Sequence, residues 1–174
     1  EYLDDLGFLS PRLTIVHGIW LTDGDIALLA ENGCSVVHNP LSNMKLGSGI
    51  CPVRRLLDAG INVALGTDGL ATSDTADLIE AIRAASLIHK TGTPDYTAWV
   101  SADDAFRMAT LGGARTGLME TEVGSLEVGK FADFVVIDPS HGILILEVKG
   151  GTVEVASGGR WSTRGPAGEI IPIT

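Results

Sequence analysis

The segment INVALGTDG, residues 61–69, carries the pattern that decides the fold. It begins as a mostly apolar run with β-branched residues, which is typical of a buried strand. It then ends on Thr67 and Asp68, and a glycine follows at once. Removing an unpaired carboxylate from water is costly, so a buried strand that ends in one needs a compensating partner. Asp68 is therefore a candidate functional residue.

Two similar strands precede this segment, and a helical pattern separates each strand from the next. The strand patterns are RLTIVHG at 12–18 and CSVVHNP at 34–40, with helices predicted in TDGDIALLAENG and ICPVRRLLDAG. A third helix is predicted through LIEAIRAASLIHK. The expected helix starts are Thr22 or Asp23, Pro52, and Ser73 or Thr75, and the expected stops are Gly33 and Gly60. This alternation predicts right-handed βαβ units and a parallel sheet covered on both faces.

The pattern changes after the third helix. Residues 101–119 predict one or two packed helices, with Ser101 as the cap. From residue 122 short apolar runs alternate with glycine turns, which is typical of short strands. The sequence therefore predicts an α/β region at 1–121, a small C-terminal β appendage at 122–163 and a tail at 164–174.

Composition excludes several classes of partner. The formal net charge of the 174 residues is −10, whereas a nucleic-acid-binding protein needs a basic face for the phosphates. No apolar run approaches the roughly 20 residues needed to cross a bilayer, and the N-terminus lacks the pattern of a signal peptide. Two cysteines are too few for a disulfide framework. We expect a cytoplasmic protein that binds neither nucleic acid nor membrane.

Ionisable side chains stand where all three predicted strands end. The first strand ends at His17, the second at His38 and the third at Asp68. In parallel sheets covered by helices the carboxyl ends of the strands share one edge, and that edge carries the chemistry. Two imidazoles and a carboxylate suit a borderline divalent ion such as zinc. Taken singly, each histidine could be an ordinary hydrogen-bonding group, and Asp68 could be a turn residue.

The segment HNPLSNMKLGSGICPVRRLLDAGINVALGTDG, with VHG before it and MATLGGART and GSLEVGKFADFVVID after it, closely resembles the amidohydrolase superfamily. The resemblance covers about residues 3–139. It is strongest to the branch of methylthioadenosine and adenosylhomocysteine deaminases, guanine deaminases and triazine hydrolases. It implies an α/β fold that forms about the last three βα units of a (β/α)8 (TIM) barrel, with part of a small β-sandwich at the C-terminus. It also implies a mononuclear divalent metal, zinc or alternatively iron, that activates water.

The same resemblance assigns roles to individual residues. Asp68 matches the aspartate that ends the eighth strand, which ligates the metal and takes a proton from the attacking water. His17 matches the histidine that ends the sixth strand, beside the metal-bound water and the substrate, and we expect it to act as a second ligand and a catalytic residue. His38, Ser42 and Asn43 match positions that shape the floor of the substrate pocket. Residues 44–49 match a loop over the site.

Several residues that the family pattern requires are missing. A His-x-His pair, the histidine of the fifth strand and the glutamate just beyond that histidine have no counterpart here, since His89 and His141 lack the spacing. The chain thus resembles the C-terminal part of a metal-dependent hydrolase that acts on C–N bonds other than peptide bonds, and we expect the whole enzyme to be a deaminase of a purine- or triazine-like heterocycle. By itself we expect it to bind metal weakly and to be inactive or nearly so. The alternatives are a non-catalytic α/β remnant that self-associates, or one half of a split enzyme whose N-terminal part is a separate chain.

Overall fold

The structure, a computed structural model, describes residues 2–136 and four further strands at 146–148, 152–156, 160–164 and 170–173. The chain divides into two compact units, residues 1–118 and 119–174. Within the described residues, no helix combines the length and the apolar character that a membrane span requires.

The first unit contains the three predicted strands. They are β1 (Thr14–Val16), β2 (Ser35–His38) and β3 (Asn62–Leu65), and they form a parallel sheet in the order β1-β2-β3. Val36 of β2 is in register with Ile15 of β1 and Val63 of β3. The prediction of a parallel sheet with intervening helices is confirmed.

Helices connect and cover these strands. In chain order they are α1 (Tyr2–Asp5), α2 (Asp23–Glu31), α3 (Pro40–Lys45), α4 (Val53–Asp58), α5 (Leu70–Ser73), α6 (Leu78–Ile88), α7 (Ala102–Arg107), a π-helical segment at Met108–Gly112 and α8 (Gly113–Thr116). Short 3-10 helices lie at His89–Thr91 and Tyr96–Ala98. The core between sheet and helices includes Val36, Val53 and Leu56, all with no exposed surface. These apolar contacts supply the main stabilisation of the unit.

The helix ends show where local sequence rules hold and where they fail. Thr22 caps α2 with a full capping box, and Gly33 takes a left-handed conformation at its end, as predicted. The long helix does not begin at Ser73 or Thr75. Ser73 instead closes the short α5, and the carboxylate of Asp77 caps α6 by accepting hydrogen bonds from Ile79 and Glu80. Asp77 is the N-cap of α6 because its charged carboxylate acceptor stands directly before the apolar run.

The π-helical segment lies against β3. The side-chain amide of Asn62 is 3.1 Å from the Gly112 carbonyl, 3.1 Å from Ser35 Oγ and 3.0 Å from Thr116 Oγ1. These contacts tie β2, β3 and α8 together. A side chain on Gly112 would meet the carbonyl oxygen of Val63, so glycine is what lets the helix come this close.

The second unit is built from short antiparallel strands. Strand β4 (Phe134–Val136) pairs with β5 (Leu146–Val148), and β6 (Thr152–Ala156), β7 (Arg160–Arg164) and β8 (Ile170–Ile173) form a three-stranded sheet in that order. The tail predicted from residue 164 onward therefore contains a strand, β8, which pairs with β7. His141 lies outside the described residues.

Candidate functional site

His17 and Asp68 come together at the carboxyl edge of the parallel sheet. His17 follows β1 directly, and its backbone N–H donates to the carbonyl of Val37 at 2.9 Å, so the ladder between β1 and β2 continues to this residue. Asp68 lies three residues beyond the end of β3. His17 Nε2 is 3.8 Å from Asp68 Oδ2, and both side chains are about one-third exposed. An imidazole and a carboxylate thus lie side by side with part of their surface exposed to solvent.

Both residues have left-handed backbones. The φ angle is +69° at His17 and +61° at Asp68. Non-glycine residues rarely adopt this region, and such conformations cluster at functional sites where the surroundings enforce them. At His17 the left-handed turn ends β1 directly, and at Asp68 it lies in the short connection between β3 and α5.

Helix α3 orients both side chains from below. Ser42 Oγ donates to Asp68 Oδ2 at 2.6 Å, and Asn43 Oδ1 lies 2.9 Å from His17 Nδ1. Ser42 and Asn43 are themselves buried. The other carboxylate oxygen, Oδ1, accepts from the backbone N–H of Gly69 at 2.8 Å. The site pair is therefore held by one turn of helix and one backbone amide.

These hydrogen bonds keep Asp68 ionised. The Ser42 hydroxyl, the Gly69 amide and the Thr72 hydroxyl all favour the carboxylate, so the pKa of Asp68 is lowered from its ordinary value. No described ion pair joins this carboxylate to an arginine or lysine; its nearest titratable neighbour is the imidazole of His17. The acid is thus left available to a cation or a proton.

Replacing Ser42 by alanine is expected to raise the pKa of Asp68 towards the ordinary aspartate value, because the hydroxyl is the largest cause of the lowering. A ¹³C NMR titration of the side-chain carboxyl signal measures the change. Ser86→Ala is the matched control, since Ser86 Oγ donates only to the Arg83 carbonyl in the described contacts. An unchanged Asp68 titration in Ser42→Ala would contradict the assigned hydrogen bond.

His38 occupies a different environment from His17. Its ring is completely buried, and the ring centroid lies 5.3 Å from that of His89. Burial lowers the pKa of His38 to about 3, with further lowering from His89 and His17, and burial lowers the pKa of His89 to about 4. Both imidazoles are neutral at pH 7. The roles predicted for His38, Ser42 and Asn43 in substrate binding stay predictions, and all three side chains are buried beneath the exposed pair.

Sequence reasoning did not find the partnership of His38 with His89. The signal was present in α6, where Ala81 and Ala85 are fully buried. Positions four apart share one face of a helix, so His89 continues the same buried stripe. The predicted loop at 44–49 also differs, because Met44 and Lys45 belong to α3.

The donors at the site fit a divalent metal in kind but not in number. An imidazole nitrogen and a carboxylate oxygen are typical zinc ligands, and their 3.8 Å separation suits two ligands of one ion. Among the residues that the structure describes, however, no group of three or more His, Cys, Asp or Glu is placed to hold a metal. Catalytic zinc normally has three protein ligands. The described residues thus supply part of a metal site.

The sequence of this chain is similar to that of known proteins. Residues 1–161 match the model of the amidohydrolase family. A 5'-deoxyadenosine deaminase of Methanosarcina acetivorans is 48% identical over 136 residues, which are 78% of this chain and 31% of the relative. The chain therefore spans about a third of the length of the relatives it matches.

Solved structures of related enzymes are also similar to this chain. An adenosine deaminase from Xanthomonas campestris with bound zinc superposes with a TM-score of 0.76 at 45% identity, over 80% of this chain and 31% of that one. An atrazine chlorohydrolase from Arthrobacter aurescens TC1, complexed with zinc, superposes with a TM-score of 0.74 at 29% identity, over 94% and 38%. These neighbours imply a TIM-barrel-type α/β fold.

Proposed function

This chain belongs to the amidohydrolase family, and from that premise we propose that it carries one part of the active site of a metal-dependent deaminase. The substrate class we propose is a purine- or triazine-like heterocycle, since the similar proteins are named for 5'-deoxyadenosine, adenosine and atrazine. The observation that carries the proposal is the pairing of His17 Nε2 with Asp68 Oδ2 at the carboxyl edge of a parallel sheet.

The role we propose for Asp68 follows from its contacts. Ser42 and Gly69 each hold one carboxylate oxygen, so the orientation of the group is fixed before any ligand arrives. His17 Nε2 and an Asp68 oxygen would hold the metal, which supplies a bound water with its pKa lowered towards about 7. Asp68 would also accept a proton, because it remains a carboxylate at neutral pH.

We propose that the remaining ligands come from other polypeptide, since the residues that the structure describes place no third ligand beside this pair. We propose that β1 to β3 and their helices form about the last three βα units of a TIM barrel, and that residues 122–163 belong to a small β-sandwich. A complete barrel takes about 250 residues, and the chain has 174. The chain alone would accordingly hold metal weakly and turn over little or no substrate.

A complementation assay tests this proposal. The chain is mixed with zinc and with the preceding part of the 45%-identical adenosine deaminase, and ammonia release from 5'-deoxyadenosine is measured. We expect release only in the mixture, and a loss of about 100-fold or more with Asp68→Asn, since removing a metal ligand and proton acceptor removes the chemistry. Asparagine tolerates the left-handed backbone at this position, so folding is preserved.

Two results would contradict the proposal. Equal release with Asp68→Asn in the mixture would remove Asp68 from the site. Asp68-dependent release by the chain alone would show that its own residues complete the site.

One observation favours the non-catalytic alternative, in which the chain self-associates. Beside β1 the described residues form an apolar groove of about 230 Å³ that includes Leu9, Ile15 and Leu21, and Val16 on the sheet edge is half exposed. An unpaired strand edge with apolar neighbours favours association. Size-exclusion chromatography with metal analysis separates the alternatives, since a metal-free oligomer would support a structural remnant.

A further inference from the structure

The side chain of Asn43 makes one hydrogen bond among the described residues, and that bond is to His17. Its side chain is 1% exposed, so it is shielded from any molecule that reaches the exposed face of His17 and Asp68. Its Oδ1 is 2.9 Å from His17 Nδ1, across 26 residues of sequence. An effect of Asn43 on the chemistry therefore has to pass through the imidazole.

The chemistry of the two groups fixes the direction of this hydrogen bond. An amide oxygen can only accept, so the proton must lie on His17 Nδ1. A neutral imidazole carries one such proton, and the other ring nitrogen then presents a lone pair. That nitrogen is Nε2, which points to the side of Asp68 and is 3.8 Å from its Oδ2. At this distance the two atoms form no hydrogen bond, and the lone pair stays available.

Hydrogen bonds hold the backbone of Asn43 in place, so that its side-chain oxygen stays next to His17 Nδ1. Its N–H donates to the Asn39 carbonyl at 3.0 Å, and its own carbonyl accepts from the N–H of Ser48 at 3.0 Å. Pro40 sets the first turn of α3, where its fixed φ suits a helix start. The neighbouring Ser42 is committed to Asp68. One short helix thus orients both members of the site pair.

We propose that Asn43 is a positioning residue that holds His17 in the Nδ1–H tautomer and so makes Nε2 the basic atom of the site. The imidazole is then ready to bind a cation or accept a proton at Nε2 without first moving its own proton. The tautomer follows from the geometry of this chain, and its value to deamination rests on the proposed function.

NMR of the ¹⁵N-labelled chain tests the tautomer directly. Long-range ¹H–¹⁵N spectra at about pH 8.5 distinguish a protonated ring nitrogen from one with a lone pair. His17→Gln identifies the His17 signals. We expect a protonated Nδ1 in the wild type, and a shift of about tenfold in the tautomer ratio towards Nε2–H in Asn43→Leu.

Two further variants separate positioning from general packing. Asn43→Asp keeps an acceptor at the same place, so it should restore the Nδ1–H tautomer that Asn43→Leu loses. Asn32→Ala removes another side-chain amide, one that donates to the Leu28 carbonyl, and should leave the His17 signals unchanged.

A wild-type spectrum with the proton on Nε2 would overturn the proposal, and so would an unchanged tautomer in Asn43→Leu. If Asn43→Leu does not fold, the wild-type spectrum and that of Asn43→Asp still decide. The measurement needs no turnover, so its failure is distinct from a failure of the complementation assay.

Discussion

Substitution of Gly112 by alanine is expected to destabilise the protein by about 3 kcal/mol, which corresponds to a fall in Tm of roughly 10 °C for a chain of this size. The added methyl group would meet the carbonyl oxygen of Val63. Val63 is an interior residue of β3 and is in register with Val36 of β2. Its carbonyl therefore cannot move without disturbing the sheet. The helix would have to retreat, and the Asn62 contacts with the Gly112 carbonyl and Thr116 Oγ1 would be strained.

Gly113→Ala is the matched control for this prediction. Gly113 is the next residue along, has a helical backbone, and has nothing within 4 Å of where a methyl group would be added. Alanine has a higher helix propensity than glycine, so we expect no loss of stability and a gain of up to about 1 kcal/mol. Thermal unfolding of both variants, followed by circular dichroism, measures the difference. Equal stability in the two variants would contradict the close packing of the π-helical segment on β3.

The second large effect is a loss of stability in mild acid, caused by His38. The folded protein holds the pKa of His38 at about 3, whereas the unfolded chain has the ordinary value of about 6.5. Between these two values the unfolded state binds the extra proton, so the free energy of unfolding increases with pH. The contribution is complete above about pH 6.5 and is lost progressively as the pH falls towards 3. Each unit of pKa difference is worth about 1.4 kcal/mol, so the total reaches several kcal/mol.

The pH window separates this effect from that of the carboxylates. The lowered pKa values of Asp25, Asp68 and Asp95 cost stability only as the pH falls below about 4, their ordinary value in unfolded chains. Urea unfolding between pH 7 and pH 5 therefore reports mainly on the buried imidazoles. We expect the slope in this interval to shrink in His38→Phe, which cannot be protonated.

An unchanged slope in His38→Phe would contradict the assignment to His38. If this variant fails to fold, the C2–H signal of His38 in the wild type gives the answer, since it should not titrate between pH 8 and pH 5. A midpoint near 6.5 would show that the ring reaches water in the native state.

The fold of the first unit was predictable because its information is local. Apolar runs with β-branched residues define β1 to β3, and Thr22 and Gly33 mark the ends of α2 by capping chemistry that operates over a few residues. The placement of the candidate pair was predictable in part: parallel strands bring their carboxyl ends to one edge, so His17 and Asp68 were expected at the same edge, although β2 lies between their strands.

What the sequence did not reveal depends on contacts between distant segments. The burial of His38 against His89 arises only when α6 lies across the sheet, 51 residues further along the chain. The left-handed backbones of His17 and Asp68 were not predictable either, since only a small share of non-glycine residues adopt this region. The π-helical segment likewise follows from the packing of Gly112 on β3.

The positive φ angles at His17 and Asp68 affect how mutational scans of this chain should be interpreted. In a saturation library at either codon, the first requirement is that the new residue tolerates a positive φ angle. Glycine and asparagine meet this requirement, whereas the β-branched residues valine, isoleucine and threonine do not. Loss of function in a β-branched variant would then report misfolding, and only the tolerated replacements isolate the chemistry of the side chain. A designer who wishes to transplant this site has to copy the two turns together with the two residues.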